Sequence, residues 1–261
     1  MTELVRIARR DHLAWVTLDR PEVMNALSFD TLDQFAGHVA ALAGDPEARV
    51  VLITGAGDKA FCAGADLKER VGFTEAQTRA FVARIGDTFA ALAALPQPTI
   101  AVLNGVAYGG GLELALACDL RVGATTSKLG LTETSLAIIP GAGGTQRLPR
   151  LIGPARAKEL IFSARRLDAA EALSIGLLNA VVEPRELVAR AEALARSIAA
   201  NGPLAVRAAK EAIGLADGRG SLAENLQRER ALYLERVLPS ADRLEALAAF
   251  RDKRPPQFTG R

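Results

Sequence analysis

Apolar and polar positions alternate at Leu4-Val5-Arg6-Ile7 and again from Leu13 to Leu18, with Arg9-Arg10-Asp11 between them, which predicts a β-hairpin. From Ser28 the period becomes helical. Leu32, Phe35, Ala36, Val39 and Leu42 fall on one face, Ser28 is placed to cap the first turn, and Gly44-Asp45-Pro46 ends the helix. The β-branched run Val50-Val51-Leu52-Ile53-Thr54 is short and apolar enough for a buried strand. A small-residue loop from Gly55 to Asp66 then leads into a helical stretch to about Leu95, with Phe81, Ile85, Phe89 and Leu92 at helical spacing and Pro96 and Pro98 closing it. Thr99 to Leu103 predicts a second apolar strand, Gly109-Gly110-Gly111 opens a helix through Cys118, and Leu120-Arg121-Val122 begins another short strand. Alternating strands and helices argue an α/β fold.

From Pro184 the pattern is almost wholly helical, in Ala-rich segments separated by Asn201-Gly202-Pro203 and Gly218-Arg219-Gly220. Leu234, Val237, Leu244, Leu247 and Phe250 of this region would be exposed unless they dock on the main body or on a neighbouring subunit.

Composition narrows the class. The 261 residues suffice for one large domain, or one domain and a smaller appendage, and 32 Lys+Arg against 30 Asp+Glu leave a net charge of +2, which is no nucleic-acid signature. The start, Met1-Thr2-Glu3-Leu4-Val5-Arg6, lacks the apolar core of a secretory signal, and the two cysteines, Cys62 and Cys118, are far apart; a reducing, cytoplasmic setting is expected. Thr99 to Cys118 alone is apolar enough to raise a membrane question, but Asn104-Gly105, the three glycines and Glu113 suit a strand, a turn and a helix better.

Three segments carry candidate chemistry. The glycines at 109–111 let another chain approach the backbone, and the first-turn N–H groups of a helix have no partner within it, so they can bind an oxygen carrying negative charge, with Glu113 in or near the same turn. Read alone, the segment serves equally well for tight helix packing with a favourable N-terminal charge. The loop Lys59 to Lys68 follows a buried strand, where open α/β sheets place ligands, and its small side chains leave N–H groups such as that of Ala65 accessible. Alone it reads more simply as a connection capped by Asp66. The third segment sets Glu133 before a glycine-rich turn, Gly141-Ala142-Gly143-Gly144, rather than in a regular helix pattern, which favours a site over a solvated face.

Rival chemistries lack their residues. Gly141 to Gln146 has Gln where a dinucleotide fingerprint needs its last glycine, and no Gly-Lys-Ser/Thr phosphate loop occurs. His12 and His38 are the only histidines, no Gly-x-Ser-x-Gly elbow is present, and the cysteines and histidines lack metal-ligand spacing.

Taken together, Ala60-Phe61-Cys62-Ala63-Gly64-Ala65-Asp66-Leu67-Lys68-Glu69, Gly109-Gly110-Gly111-Leu112-Glu113-Leu114-Ala115 and Ile139-Pro140-Gly141-Ala142-Gly143-Gly144-Thr145-Gln146-Arg147-Leu148 resemble the crotonase (enoyl-CoA hydratase/isomerase) family, in particular its enoyl-CoA and methylglutaconyl-CoA hydratase branch. The resemblance runs from Leu18-Asp19-Arg20-Pro21 to Lys253-Arg254-Pro255-Pro256. It implies a spiral of repeated β-β-α units over residues 1–200 and a C-terminal helical region, 201–261, used for trimerisation in a hexamer built as a dimer of trimers. It implies an oxyanion hole from the N–H groups of Ala65 and Gly110, and catalytic glutamates at Glu113 and Glu133. In that family water adds across the 2,3 double bond of a 2-enoyl-CoA through an enolate. Glu113 would deprotonate the water and Glu133 supply the α-proton, although a concerted addition leaves acid and base open at this point.

CoA contacts are implied at Ala63, Asp66, Leu67 and Lys68, with Phe250 and Lys253 contributed by the same or an adjacent subunit; Lys253 reads equally as a solvated lysine of a basic tail. No cofactor beyond the CoA of the substrate, no metal and no membrane partner is implied. One relative binds AU-rich RNA through a lysine-rich first helix, whereas Phe29 to Val39 here has acids and no lysine, so no nucleic-acid partner is expected. Three readings stand: a hydratase, a related isomerase, and an RNA-binding or scaffolding relative. Both glutamates being present favours the first.

Overall fold

The computed structural model describes residues 2–218 and 220–261. Strands β1 (Val5–Arg10) and β2 (Leu13–Leu18) form the expected hairpin. Its turn is Asp11-His12, with φ of 50° and 64°, the left-handed pair whose twist matches that of the flanking strands, so Arg9 and Arg10 belong to β1 and not to the turn. Helix α1 (Phe29–Ala43) begins where Ser28 Oγ accepts from the Thr31 amide at 3.2 Å, and it buries Leu32, Phe35, Val39 and Leu42.

One motif then repeats: a strand in a first sheet, a short strand in a second, and a helix. The first turn of the spiral is β3 (Val50–Gly55), β4 (Ala60–Cys62), α2 (Leu67–Arg70) and α3 (Glu75–Ala93). The second is β5 (Thr99–Leu103), β6 (Val106–Tyr108) and α4 (Gly110–Leu116). The third is β7 (Leu120–Ala124), β8 (Lys128–Gly130), a 3-10 turn at Glu133–Leu136, α5 (Gly144–Ile152) and α6 (Pro154–Ser163). The chain goes on through β9 (Leu167–Asp168), α7 (Ala169–Ser174), β10 (Ala180–Val182), α8 (Leu187–Ala199), α9 (Pro203–Gly214), α10 (Leu222–Leu232) with a π-helical turn at Tyr233–Val237, and α11 (Ala241–Asp252). This is the expected α/β spiral of β-β-α units. It differs from the sequence reading in the second-sheet strands, in β10, and in the break at residues 71–74 that splits the stretch from Asp66 to Leu95 into α2 and α3.

The six-stranded sheet runs β1-β2-β3-β5-β7-β10, parallel from β2 onward, and the four-stranded sheet runs β4-β6-β8-β9, parallel except for β9. Strands β3 and β5 are buried on both faces. Val51, Ile53, Ala101 and Leu103 point into the main core with Phe35, Phe81 and Phe89 of α1 and α3. Val50, Leu52, Ile100 and Val102 point the other way, onto Leu187, Ala191, Ala195 and Ala199 of α8. The buried Asn25 ties successive loops together, its Nδ2 donating to the carbonyls of Ala56 (3.0 Å) and Ala60 (2.8 Å).

The C-terminal tail folds back on α11. The Asp242 carboxylate accepts from the amides of Thr259 (2.6 Å) and Gly260 (2.9 Å), and Arg49 of the body donates to the Phe258 carbonyl at 2.7 Å. Leu234, Leu244, Leu247 and Phe250 do not dock on their own body: all four are exposed, Phe250 at 87%, while Val237 is half-buried. Among the described residues no helix is long and apolar enough to cross a membrane.

Candidate active site

The three candidate segments follow the carboxyl ends of β4, β6 and β8, which are parallel neighbours in one sheet, so their loops converge. After β4, Leu27 and Ala65 form an isolated parallel bridge: the Leu27 amide donates to the Gly64 carbonyl and the Asp66 amide to the Leu27 carbonyl, each at 2.8 Å. Because extended backbone alternates its bonding direction, the Ala65 N–H must point the opposite way, into the cleft. Gly110 opens α4, where no carbonyl lies one turn earlier in the helix to receive its N–H. Neither N–H donates to another protein group among the described residues. The two stand side by side. A methyl group on Gly64, which has φ of 99°, would sit 3.3 Å from the Gly110 nitrogen, and one on Gly110 would sit 3.6 Å from the Ala65 nitrogen.

Close packing of α4 on β4 fixes this juxtaposition. A Cβ at Gly111 would lie 2.7 Å from the carbonyl carbon of Cys62, both residues being fully enclosed, so Gly111→Ala is expected to cost about 3 kcal/mol or more, read as a lower urea midpoint. At the other end of α4 the buried Arg121 guanidinium donates to the carbonyls of Cys118 and Leu177, each at 2.8 Å. A cation there complements the helix dipole and holds the helix in place.

Glu113 and Glu133 are both buried, at 3% and 8% exposure, and both line the same cleft of about 1130 Å³. Their surroundings differ. Glu113 Oε1 accepts from the amides of Ala142 and Gly144, each at 2.8 Å, across the glycine-rich turn. Burial raises its pKa above the usual carboxylate value, while these two amides and the Arg147 guanidinium oppose the rise. Among the described residues neither oxygen of Glu133 has a hydrogen-bond partner. Burial, and then the charge of Glu113, push its pKa up to about 7. The Glu133 carboxyl faces Gly109, one residue before the free Gly110 N–H: a Cβ on Gly109 would sit 3.1 Å from Oε1. The cleft therefore holds one carboxyl whose charged form is met by two amides and a nearby cation, one carboxyl that burial and its neighbour push up to about 7, and two main-chain donors.

The other candidate residues divide. Ala63 and Leu67 line the cleft with Ala65. Asp66 does not: its Oδ1 caps α2 by accepting from Lys68 and Glu69, and its Oδ2 meets Arg20 at 3.0 Å. Lys68, Phe250 and Lys253 are exposed and outside the lining, and Lys253 is the left-handed residue that ends α11. Both cysteine thiols are buried and pushed up to about 12, which leaves them neutral packing groups. Among the described residues no group of three or more His, Cys, Asp and Glu is placed to hold a metal.

Sequence reasoning missed other lining residues. Phe81, Val82 and Ile85 of α3, with Leu136, Ile138 and Ile139, give an apolar wall, and Phe81 is held edge-on to Phe29 at 5.1 Å. Arg70 and Arg166 also line the cleft, their guanidinium groups 5.6 Å and 4.5 Å over the rings of Phe81 and Tyr108. The helical spacing of Phe81 and Ile85 signals a buried face, but nothing in it says that this face also borders a cleft.

Known proteins are similar to this chain in sequence and in fold. Residues 8–261 match the model of the family described as enoyl-CoA hydratase/isomerase. The Bacillus subtilis (strain 168) protein YngF, whose name places it among the enoyl-CoA hydratases/isomerases, is 51% identical over 254 residues, covering 97% of this chain and 96% of its own length. Human mitochondrial methylglutaconyl-CoA hydratase is 46% identical over 247 residues, 93% of this chain and 72% of the relative. The crystal structure of an enoyl-CoA hydratase from Bacillus anthracis superposes with a TM-score of 0.96 at 48% identity, covering 99% of this chain and all of that one. On sequence and on fold, the chain belongs to the enoyl-CoA hydratase/isomerase family, the crotonases.

Proposed function

We propose that this protein is an enoyl-CoA hydratase, adding water across the 2,3 double bond of a 2-enoyl-CoA thioester. The observation that carries this reading is the unequal pair Glu113 and Glu133 in one cleft, beside the free N–H groups of Ala65 and Gly110. The thioester oxygen accepts from both N–H groups. As the oxygen of water bonds to the β-carbon, the π electrons of the double bond move toward the α-carbon and carbonyl, and negative charge develops on the thioester oxygen. Preorganised donors answer that charge without reorganising, and one such donor is worth about 10²- to 10³-fold in rate. Glu113, held as an anion by two amides, takes the proton of the water. Glu133, pushed up to about 7, gives its proton to the α-carbon. CoA is part of the substrate, and no cofactor enters. Mixing the protein with crotonyl-CoA tests the reading: loss of the conjugated-thioester absorbance is expected, and an unchanged spectrum at high protein concentration rejects it.

One observation favours a narrower substrate. Arg70 and Arg166 form no ion pair among the described residues, yet both border the cleft, so an acyl group ending in a carboxylate, as in methylglutaconyl-CoA of leucine breakdown, would find a cation there. If that is the substrate, Arg70→Ala or Arg166→Ala is expected to lower kcat/KM for carboxylate-ended over neutral acyl groups of equal length by at least about tenfold. An unchanged ratio in both variants returns the reading to neutral enoyl groups. A related isomerase would instead convert a non-conjugated enoyl-CoA in the same assay. The exposed Leu234, Leu244, Leu247 and Phe250 support self-association through residues 201–261, which this reading takes to build a dimer of trimers, and the Bacillus subtilis relative supports a cytoplasmic setting. The acidic α1 face, where Asp33 pairs with Arg84, supports a protein that binds no nucleic acid.

A further inference from the structure

We propose that Arg147 is a positioning residue that holds Glu113 as the ionised member of the carboxyl pair. The inference rests on the hydratase reading for its meaning, and on the turn between the third strand pair and α5 for its geometry. Glu113 is bound from one side of that turn, through the amides of Ala142 and Gly144. Arg147 binds the same turn within itself: its Nη1 donates to the Ala142 carbonyl at 2.9 Å, and its own amide donates to the Gly143 carbonyl at 2.8 Å. The Gly143–Gly144 peptide accepts at its carbonyl from the Arg147 main-chain amide while donating at its N–H to Glu113, and the guanidinium on the preceding carbonyl fixes the other side of the same turn.

Gly143 makes this possible. It has φ of 107°, and a Cβ there would lie 3.0 Å from Arg147 Cζ, so the bare backbone lets the guanidinium lie across the turn. Arg147 is half-buried and forms no ion pair with a carboxylate among the described residues, which leaves its charge directed at the turn and at Glu113 behind it.

The other charged groups facing Glu113 cannot take this part. From the 3-10 turn after β8 comes Glu133, whose charge disfavours a second anion. The thiols of Cys62, packed against Gly111 of α4, and of Cys118, just beyond that helix, are neutral. Arg121 is engaged with carbonyls at the far end of α4. From α3, Ile85 packs against Gly110 at the start of α4 and carries no charge. Without Arg147, two buried carboxyls in one cleft would compete for the proton on more equal terms, and the division of roles would blur.

The test reads protonation directly. In the Glu133→Gln background, Glu113 is titrated by infrared difference spectroscopy on protein carrying ¹³C-labelled glutamate, with the Glu113→Gln, Glu133→Gln protein as blank. Arg147→Met is expected to raise the Glu113 midpoint by about one pH unit or more, and Arg147→Lys, which keeps the charge, by less. In the enzyme with both glutamates, the acid limb of kcat/KM should move upward with it. An unchanged midpoint in Arg147→Met overturns the proposal, as does a fall in kcat with an unmoved acid limb, which is what a purely structural arginine would give. Should Arg147→Met fail to fold, Arg147→Gln, which removes the charge but keeps a side-chain donor for the Ala142 carbonyl, decides by the same two readouts. The titration needs no turnover, so a protein inert toward crotonyl-CoA would reject the hydratase reading and leave this result to stand or fall separately.

Discussion

Glu113→Gln is expected to lower the turnover of crotonyl-CoA hydration by about 10²- to 10⁴-fold while leaving the unfolding midpoint close to that of the parent protein. The amide side chain has the same shape, and its oxygen can still accept from Ala142 and Gly144, so the turn keeps its anchor. What is lost is the lone pair that receives the water proton. The two measurements separate chemistry from folding: a Glu113→Gln protein that unfolds early would say that the carboxylate charge mainly supports structure. One that hydrates at near-parental rate would remove Glu113 from the mechanism.

Glu133→Gln is expected to remove turnover as well, and to change how stability depends on pH. The Glu133 carboxyl titrates near pH 4.5 when unfolded and at about 7 in the fold. Below pH 4.5 both states hold the proton. Between the two values the unfolded chain has released a proton that the folded protein keeps, so stability falls as pH rises, and above 7 the loss is complete. At about 1.4 kcal/mol per pH unit, and discounted for water that screens the open cleft, the loss is about 2 kcal/mol. Gln carries no titrating proton. Urea unfolding at pH 4.5 and pH 8.5 should therefore show Glu133→Gln gaining about 2 kcal/mol on the parent over that interval; parallel curves would mean that Glu133 is not held in its neutral form. In the parent, kcat/KM should fall on the alkaline side of about pH 7, where the proton donor is ionised.

Long elements are legible in this sequence and short ones are not. Strand β3 announces itself by five successive apolar and β-branched residues, and α3 by Phe81, Ile85, Phe89 and Leu92 at one face. By contrast β4, β6 and β8 have three residues each, too few for a period of two to show, and they pair with strands far along the chain. The same limit applies to the site. Glycines and small residues mark where backbone comes close, which is why Ala65, Gly110 and Glu113 can be singled out. Asp66 carries a signal too, but the signal is that of a helix cap, and in the structure it caps α2 and pairs with Arg20. Arg70, Arg147 and Arg166 have none, because a single cation among 32 lysines and arginines acquires meaning only from what it touches across the fold.

The three short parallel strands have a consequence for how such a site can vary. Adjacent strands of a sheet are about 4.8 Å apart. Because Ala65 follows β4, Gly110 and Glu113 follow β6, and Glu133 follows β8, the working groups are dealt out along a ladder whose rungs are fixed by the sheet. Lengthening or replacing the loop above one rung re-aims one group and leaves its neighbours in place. Exchange of the 3-10 turn at Glu133–Leu136 alone should therefore move the proposed proton donor while the Ala65 and Gly110 N–H groups, and the amides that hold Glu113, stay in place.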